Sequence, residues 1–204
     1  MTAIYEPTDA LVLDSTAQDL LFREARTANA FTSEPVTDEQ LAAIYELVKW
    51  GPTAINAQPL RIVAVRSDEA KERLVSHLSP GNQDKTRKAP LTVILAADTD
   101  FHETLPEVFP HMPGAKDGFA ELERRTNFSI NNTWLQAGYF IVGVRAAGLA
   151  AGPMGGFDAA GIDADLLAGT SLRSVLVVNI GHPGDDAWFP RNPRLEVERV
   201  VTSL

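Results

Sequence analysis

The stretch from Phe128 to Ala147 constrains the fold more than any other part of the chain. It is mostly apolar, and at helical spacing Trp134, Leu135, Phe140, Ile141 and Val144 point round most of its circumference. A helix that is apolar on nearly all sides has to be buried. The chain is therefore expected to fold around this helix or to hold it in a subunit interface. A membrane span needs about 18 uninterrupted apolar residues. The nearest segment, Trp134 to Ala151, is broken by Gln136 and Arg145.

The flanking segments read as mixed helices and strands. Asp14 and Ser15 offer N-caps to a helix carrying Leu20, Leu21 and Ala25, after a loosely structured arm over residues 1–13. Thr37 and Gln40 form a capping box stapled by Val36 and Leu41. Leu41, Ile44, Tyr45 and Val48 then make one apolar stripe, which Gly51-Pro52 stops. Leu60–Val65 reads as a strand, and Ser67 caps a helix with Ala70, Leu74 and Leu78 on one side. Leu91–Ala97 and Ser174–Ile180 read as buried strands, and Asp158–Leu167 as a short helix. Residues 99–118, with Pro106, Pro110 and Pro113, read as a long excursion of the functional kind. The expectation is one α+β domain over residues 1–204, with a doubly wound sheet still possible.

Composition narrows the function. Eighteen Lys and Arg against 27 Asp and Glu give a net charge of −9, the wrong sign for a broad nucleic-acid surface. There are no cysteines, so disulfides, thiolate metal sites and a cysteine nucleophile are absent. The amino-terminal residues lack the pattern of a secretory signal, and a cytoplasmic protein without nucleic-acid or membrane partners is expected. No phosphate-binding loop, dinucleotide glycine motif, G-x-S-x-G elbow or H-E-x-x-H pair occurs. Asp98, Asp100 and His102 alternate at a strand exit, but no fourth ligand accompanies them and no metal is expected.

Three segments share one logic. Arg26-Thr27-Ala28-Asn29 ends the first helix with a cation, a hydroxyl and an amide. Pro52-Thr53-Ala54-Ile55-Asn56-Ala57-Gln58-Pro59 is a proline-bounded loop of small and amide side chains. Gly152-Pro153-Met154-Gly155-Gly156-Phe157-Asp158 presents bare backbone before a helix start. Arginine suits a phosphate, amides suit the edge of a heterocycle, and glycine lets a flat ring approach backbone N–H groups. Taken singly, each reads better as a helix-end cation, a structural turn or a connector.

Together with the basic tail Phe189-Pro190-Arg191-Asn192-Pro193-Arg194, these segments resemble the nitroreductase family of FMN enzymes, over nearly the whole chain after the arm. The Ala-Arg-Thr-x-Asn opening, the Gly-Pro-Met-Gly-Gly-Phe-Asp turn and the tail look most like its malonic semialdehyde reductase branch, linked to pyrimidine breakdown. The resemblance implies a three-layer fold with a central mixed sheet flanked by helices, and the long helix at a homodimer interface. It implies FMN, with NADPH or NADH as a transient substrate. Arg26, Arg191 and Arg194 would hold the phosphate, and the resemblance leaves open which tail arginine does so. Thr27 and Asn29 would contact the ribityl chain or ring edge, and Asn82 the flavin pyrimidine. Pro52, Thr53 and Asn56 would reach the flavin from the partner subunit. Met154, Gly155 and Gly156 would bring backbone N–H groups to flavin N5.

The implied reaction is ping-pong hydride transfer to a small-molecule acceptor, with no catalytic side chain required. The acceptor would be malonic semialdehyde, a nitro compound or a quinone. Within the excursion, Phe101, Phe109 and His111 would shape a lid, with Arg124 or Arg125 placed to meet an acidic substrate. The competing readings are a dehalogenating or flavin-fragmenting relative, and a flavin-binding module without turnover.

Overall fold

The computed structural model describes residues 11–204. The expected amino-terminal arm falls mainly outside them; its last residues, Leu11 to Leu13, are exposed. Asp14 caps α1 (Ser15–Gln18) by accepting from the Ala17 N–H at 2.8 Å. The winding then widens into a π-helical turn, Asp19–Arg23, and stops there. Ala25, expected on this helix, lies in the following loop.

In α2 (Asp38–Val48) the capping box forms as the sequence indicates. Thr37 Oγ1 accepts from the Gln40 N–H at 3.2 Å, and Gln40 Oε1 accepts from the Thr37 N–H at 2.9 Å. Ile44 and Val48 are buried, while Tyr45 faces outward. Strand β1 (Leu60–Val65) follows, then α3 (Asp68–Ser76), capped by Ser67 through the Ala70 N–H at 3.1 Å. Next come α4 (Pro80–Lys88) and strand β2 (Leu91–Asp98). The excursion holds a 3₁₀ turn Phe101–Thr104, the short α5 (Leu105–Val108) and a second turn Ala115–Phe119. It packs on its own aromatic cluster, with Phe101 stacked on Phe128 at 5.2 Å and edge-on to Phe119 at 5.0 Å. The chain continues through α6 (Leu122–Ala146), β3 (Ala150–Met154), α7 (Ala159–Asp165) and β4 (Leu172–Gly181).

The sheet order is β1-β2-β4-β3, and every pairing is antiparallel, so among the described residues the sheet is not the mixed one expected. Leu60 pairs with Ala97, Leu91 with Ile180 and Met154 with Val177. On β2, Val93 and Leu95 face α2 and α6, while Ile94 and Ala96 face α3 and α7. Both faces are covered, which is why this strand reads as a continuous apolar run. The result is three layers, helix on sheet on helix.

Helix α6 departs from its expected character. It buries Phe140 and Val144, but also the polar Ser129, Asn132, Thr133 and Gln136. Trp134, Leu135 and Tyr139 are 48%, 55% and 48% exposed. The amides are drawn inward by backbone groups of a neighbouring loop, so the apolar arc is left for solvent or another surface. None of the described helices is long and apolar enough to cross a membrane.

Candidate functional site

The first helix end and the carboxyl-terminal tail meet in a cavity of about 240 Å³. It is lined by Arg26, Thr27, Asn29, Arg191 and Arg194, all singled out from the sequence, together with Arg145, Phe189 and Asn192. The tail is sewn to the amino-terminal segment by guanidinium groups. Arg26 Nη1 donates to the Phe189 carbonyl at 3.3 Å, and its guanidinium lies 5.5 Å over the Trp188 ring. Arg191 donates to the carbonyls of Arg23 and, at 3.3 Å, Ala25. Arg194 turns onto its own neighbours, the Asn192 and Pro193 carbonyls, at 2.9 and 3.3 Å.

The electrostatics of this cavity are one-sided. Seven of the thirteen arginines sit in ion pairs with carboxylates. Of the six without such a partner among the described residues, four line this cavity, and no carboxylate does. Burial holds the Arg145 pKa below the ordinary arginine value, and the Arg191 charge pushes it the same way. Converging cations that repel one another are stabilised by an anion, and guanidinium forks match phosphate oxygens. The residues present therefore fit a phosphate group.

From this cavity a polar line runs inward along α4. Asn29 Oδ1 accepts from Lys85 Nζ at 3.3 Å. Burial lowers the Lys85 pKa. One turn earlier, Asn82 Nδ2 donates to the Gly156 carbonyl at 3.0 Å, and the Ser79 N–H donates to the same oxygen at 3.0 Å. A Cβ on Gly156 would come within 3.0 Å of Ser79 Oγ and 3.1 Å of Asn82 Nδ2, whereas one on Gly155 would meet nothing. Gly155 therefore offers open backbone beside the amide of Asn82. Met154 precedes these glycines at the end of β3. Its side chain is buried in the core layer, its sulfur 3.7 Å from Thr86 Oγ1 and 3.9 Å from Asn179 Nδ2. Only its backbone remains for a cofactor.

The Pro52–Pro59 loop holds stored strain. Ile55, Asn56 and Gln58 adopt φ of 51°, 51° and 44°, the left-handed region that L residues avoid at a cost of about 1–3 kcal/mol each. The surroundings impose it. Thr53 Oγ1 accepts from the Gln58 N–H at 3.1 Å, and Asn132 Oδ1 on α6 accepts from the Ala54 N–H at 2.8 Å. Gln136 Oε1 accepts from the Leu60 N–H at 3.0 Å, and Asn56 Nδ2 donates to the Val108 carbonyl at 2.8 Å. Pro52, Thr53 and Asn56 line a separate cavity of about 490 Å³ with Trp50 and Gln58, which shares no residue with the arginine cavity. Within this chain the structure does not bring the loop to the arginines.

In the excursion, Arg125 is engaged by Asp100 at 3.2 Å and reaches the Phe119 and Ala120 carbonyls. It braces the fold. Arg124 has no carboxylate partner among the described residues and lies 5.6 Å over the Phe119 ring. His111 packs on Phe109 at 4.0 Å. Asp98 is occupied by Arg61 at 2.7 Å and Ser171 Oγ at 2.6 Å, and among the described residues no group of metal-ligating side chains assembles.

Sequence reading missed Arg145, Lys85, Asn132 and Gln136. A lone cation in an apolar run was the available signal for Arg145. For Lys85 it was the three-residue spacing from Asn82, which shares a helix face only once α4 is recognised.

The layered fold thus carries a cationic cavity, between the loop after the first helix and the carboxyl-terminal tail, whose lining fits an anionic small molecule. The family model described as Nitroreductase family matches residues 22–182. A Streptomyces griseus protein named "Putative NADH dehydrogenase/NAD(P)H nitroreductase" is 62% identical over 196 residues, covering 96% of this chain and all of that one. A Caulobacter vibrioides protein of the same name is 46% identical over 192 residues, covering 94% and 98%. The "putative nitroreductase in complex with FMN" of Exiguobacterium sibiricum superposes with a TM-score of 0.80 at 16% identity, over 92% of this chain and 96% of that one. This chain belongs to the nitroreductase family.

Proposed function

We propose that the chain, acting over residues 1–204 as one domain, is an FMN-dependent NAD(P)H oxidoreductase of the cytoplasm. The observation that carries this reading is the convergence of four guanidinium groups, with no carboxylate among the described residues, on one cavity. Membership of the family and the names of its relatives support it. Bound there, the flavin would supply the hydride relay that no side chain can.

The remaining tasks fall to the chain. Arg26, Arg191 and Arg194 neutralise the phosphate. Thr27 and Asn29 meet the ribityl chain and ring edge. Asn82 orients the pyrimidine edge, and the open backbone at Gly155, with Gly156 next to it, donates N–H groups to the ring centre. The order is ping-pong, the nicotinamide leaving before the acceptor enters.

The working unit in this reading is a homodimer. Tyr45, Trp50, Trp134, Leu135 and Tyr139 form exposed apolar surface on α2, the segment after it and α6. Contiguous exposed apolar surface marks association sites. Pro52, Thr53 and Asn56 would then approach the partner's flavin, in keeping with their distance from this chain's own arginine cavity.

For the acceptor we propose a small semialdehyde acid, malonic semialdehyde, reduced to 3-hydroxypropanoate. Arg124 beside Phe119, without a carboxylate partner among the described residues, favours a carboxylate over a neutral acceptor. An absorbance spectrum tests the cofactor: a flavin band that bleaches on anaerobic NAD(P)H is expected, and a colourless protein that ignores added FMN overturns the reading. Steady-state rates with malonic semialdehyde, a nitroaromatic and a quinone test the acceptor. The semialdehyde is expected to give the highest kcat/KM, and preference for either other acceptor removes the proposed specificity.

A further inference from the structure

Arg145 enters the arginine cavity from a direction that the other guanidinium groups do not share. It stands in the last turn of the 25-residue helix α6, whereas Arg26, Arg191 and Arg194 come from the loop and the tail. Its Nη1 donates to the Leu21 carbonyl of the π-helical turn at 3.1 Å, leaving the rest of its five N–H donors for the cavity. It is half-buried, so much of its surrounding water is already gone.

A cation in the last turn of a helix is often there only to complement the helix dipole, worth about 0.3–1 kcal/mol. Such a cation has no reason to be half-buried against three others. The Arg191 charge and burial both disfavour the charged form of Arg145. Uncompensated charge of this kind is retained where an anion offsets it.

We infer that Arg145 is a direct ligand of the cofactor phosphate, fixed on the frame of α6 while Arg26, Arg191 and Arg194 reach the same group from the loop after the first helix and from the carboxyl-terminal tail. The inference rests on the cofactor reading above. It assigns the rigid side of the phosphate site to the helix that also carries Trp134, Leu135 and Tyr139. Phosphate binding and the outer apolar face are thereby joined by one element.

The test compares FMN with riboflavin, which lacks only the phosphate. Dissociation constants are measured by quenching of flavin fluorescence for the wild-type chain, Arg145→Gln and Arg145→Lys. Loss of one charge-assisted contact weakens binding by about ten- to a hundredfold. Arg145→Gln is therefore expected to weaken FMN by that factor while leaving riboflavin within about twofold, and Arg145→Lys to recover part of the loss. Equal weakening of both flavins would mean that Arg145 acts only by holding the Leu21 carbonyl, and overturns the inference. So does an unchanged preference for FMN over riboflavin. Should Arg145→Gln fail to fold, Arg145→Lys decides: its planar fork is gone but its charge remains, and an undiminished FMN preference counts against the role. If the wild-type chain itself binds neither flavin, or shows no preference between them, the cofactor reading fails, an outcome distinct from failure of the Arg145 assignment.

Discussion

The Asn82 side-chain amide donates to the Gly156 carbonyl oxygen at 3.0 Å, tying α4 to the turn that follows β3. The pair fixes where an amide and open backbone stand together. A methyl group on Gly156 would press on Asn82 Nδ2 and Ser79 Oγ. Gly156→Ala is therefore expected to displace the amide and weaken FMN binding by about two- to tenfold, the worth of one hydrogen bond. Gly155→Ala meets no protein atom, so it should leave the melting temperature of the flavin-free protein unchanged while still weakening flavin binding. Thermal melts and flavin titrations of the two variants check both statements.

The tail arginines are not equivalent. Arg191 bridges to the carbonyls of Arg23 and Ala25, while Arg194 turns to its immediate neighbours. Arg191→Gln removes both a phosphate partner and a clasp between the chain ends. It should raise the FMN dissociation constant about tenfold or more, and Arg194→Gln by less. Affinity for FMN should also fall as salt is raised, since the cavity is open to solvent. Titration at two ionic strengths reads this directly, and a larger effect at Arg194 would reverse the ranking.

Helices α2 and α6 approach closely at Gly143. A Cβ there would stand 2.3 Å from Val48 Cγ1 and 3.3 Å from Ile44 Cγ2. Gly143→Ala must push the helices apart or force Val48 off its rotamer, at about 1–3 kcal/mol. For a chain of this length each kcal/mol shifts Tm by about 2–4 °C, so calorimetry should record a drop of several degrees.

Acid stability should depend on Asp165. The hydrogen bond from Arg73, 2.5 Å away, and a second from His77 at 3.1 Å hold its carboxyl below the usual aspartate range. A lowered folded-state pKa stabilises the fold above the unfolded value, about 3.9, and the benefit is lost as pH falls through the lower folded value. Asp165→Asn should thus be less stable than wild type at pH 6, and the gap should close as pH drops below about 4. Urea unfolding across that window measures the gap; a constant difference would separate the two effects.

The outer face of α6 tests the dimer. Leu135 is 55% exposed between Trp134 and Tyr139. Leu135→Glu places a charge in the proposed interface, where it would be desolvated at a cost of several kcal/mol. Sedimentation should then show monomers that fold normally by circular dichroism and retain little flavin. A wild-type chain that is already monomeric at micromolar concentration would contradict the assembly.

Where local chemistry decided the outcome, it was legible. The capping box at Thr37 and Gln40 set the start of α2, and the strand read over Leu60–Val65 is β1. Strand β3 was not legible. Ala150-Ala151-Gly152-Pro153-Met154 has no β-branched residue, and proline is tolerated there because the strand lies at the sheet edge. Helix α4 was missed for the opposite reason: Pro80–Lys88 buries only Thr86, so no apolar stripe announces it.

Sequence alone determined which residue types were on hand for an anion and a flat heterocycle: arginine, threonine and asparagine at Arg26–Asn29, arginines again at 191 and 194, bare backbone at Gly155 and Gly156. It also set the caps and the buried strands, because hydrogen-bonding and burial preferences act over a few residues. Tertiary structure alone decided that Arg145 faces the same cavity, that the Met154 side chain belongs to the core, that Arg125 is spent on Asp100, and that α6 turns its amides inward and its aromatic residues out. The last of those outcomes depends on backbone groups more than seventy residues away, the Ala54 N–H that claims Asn132 and the Leu60 N–H that claims Gln136. An unpaired buried N–H costs more than an exposed aromatic ring, and that inequality fixed which face of the helix became the surface.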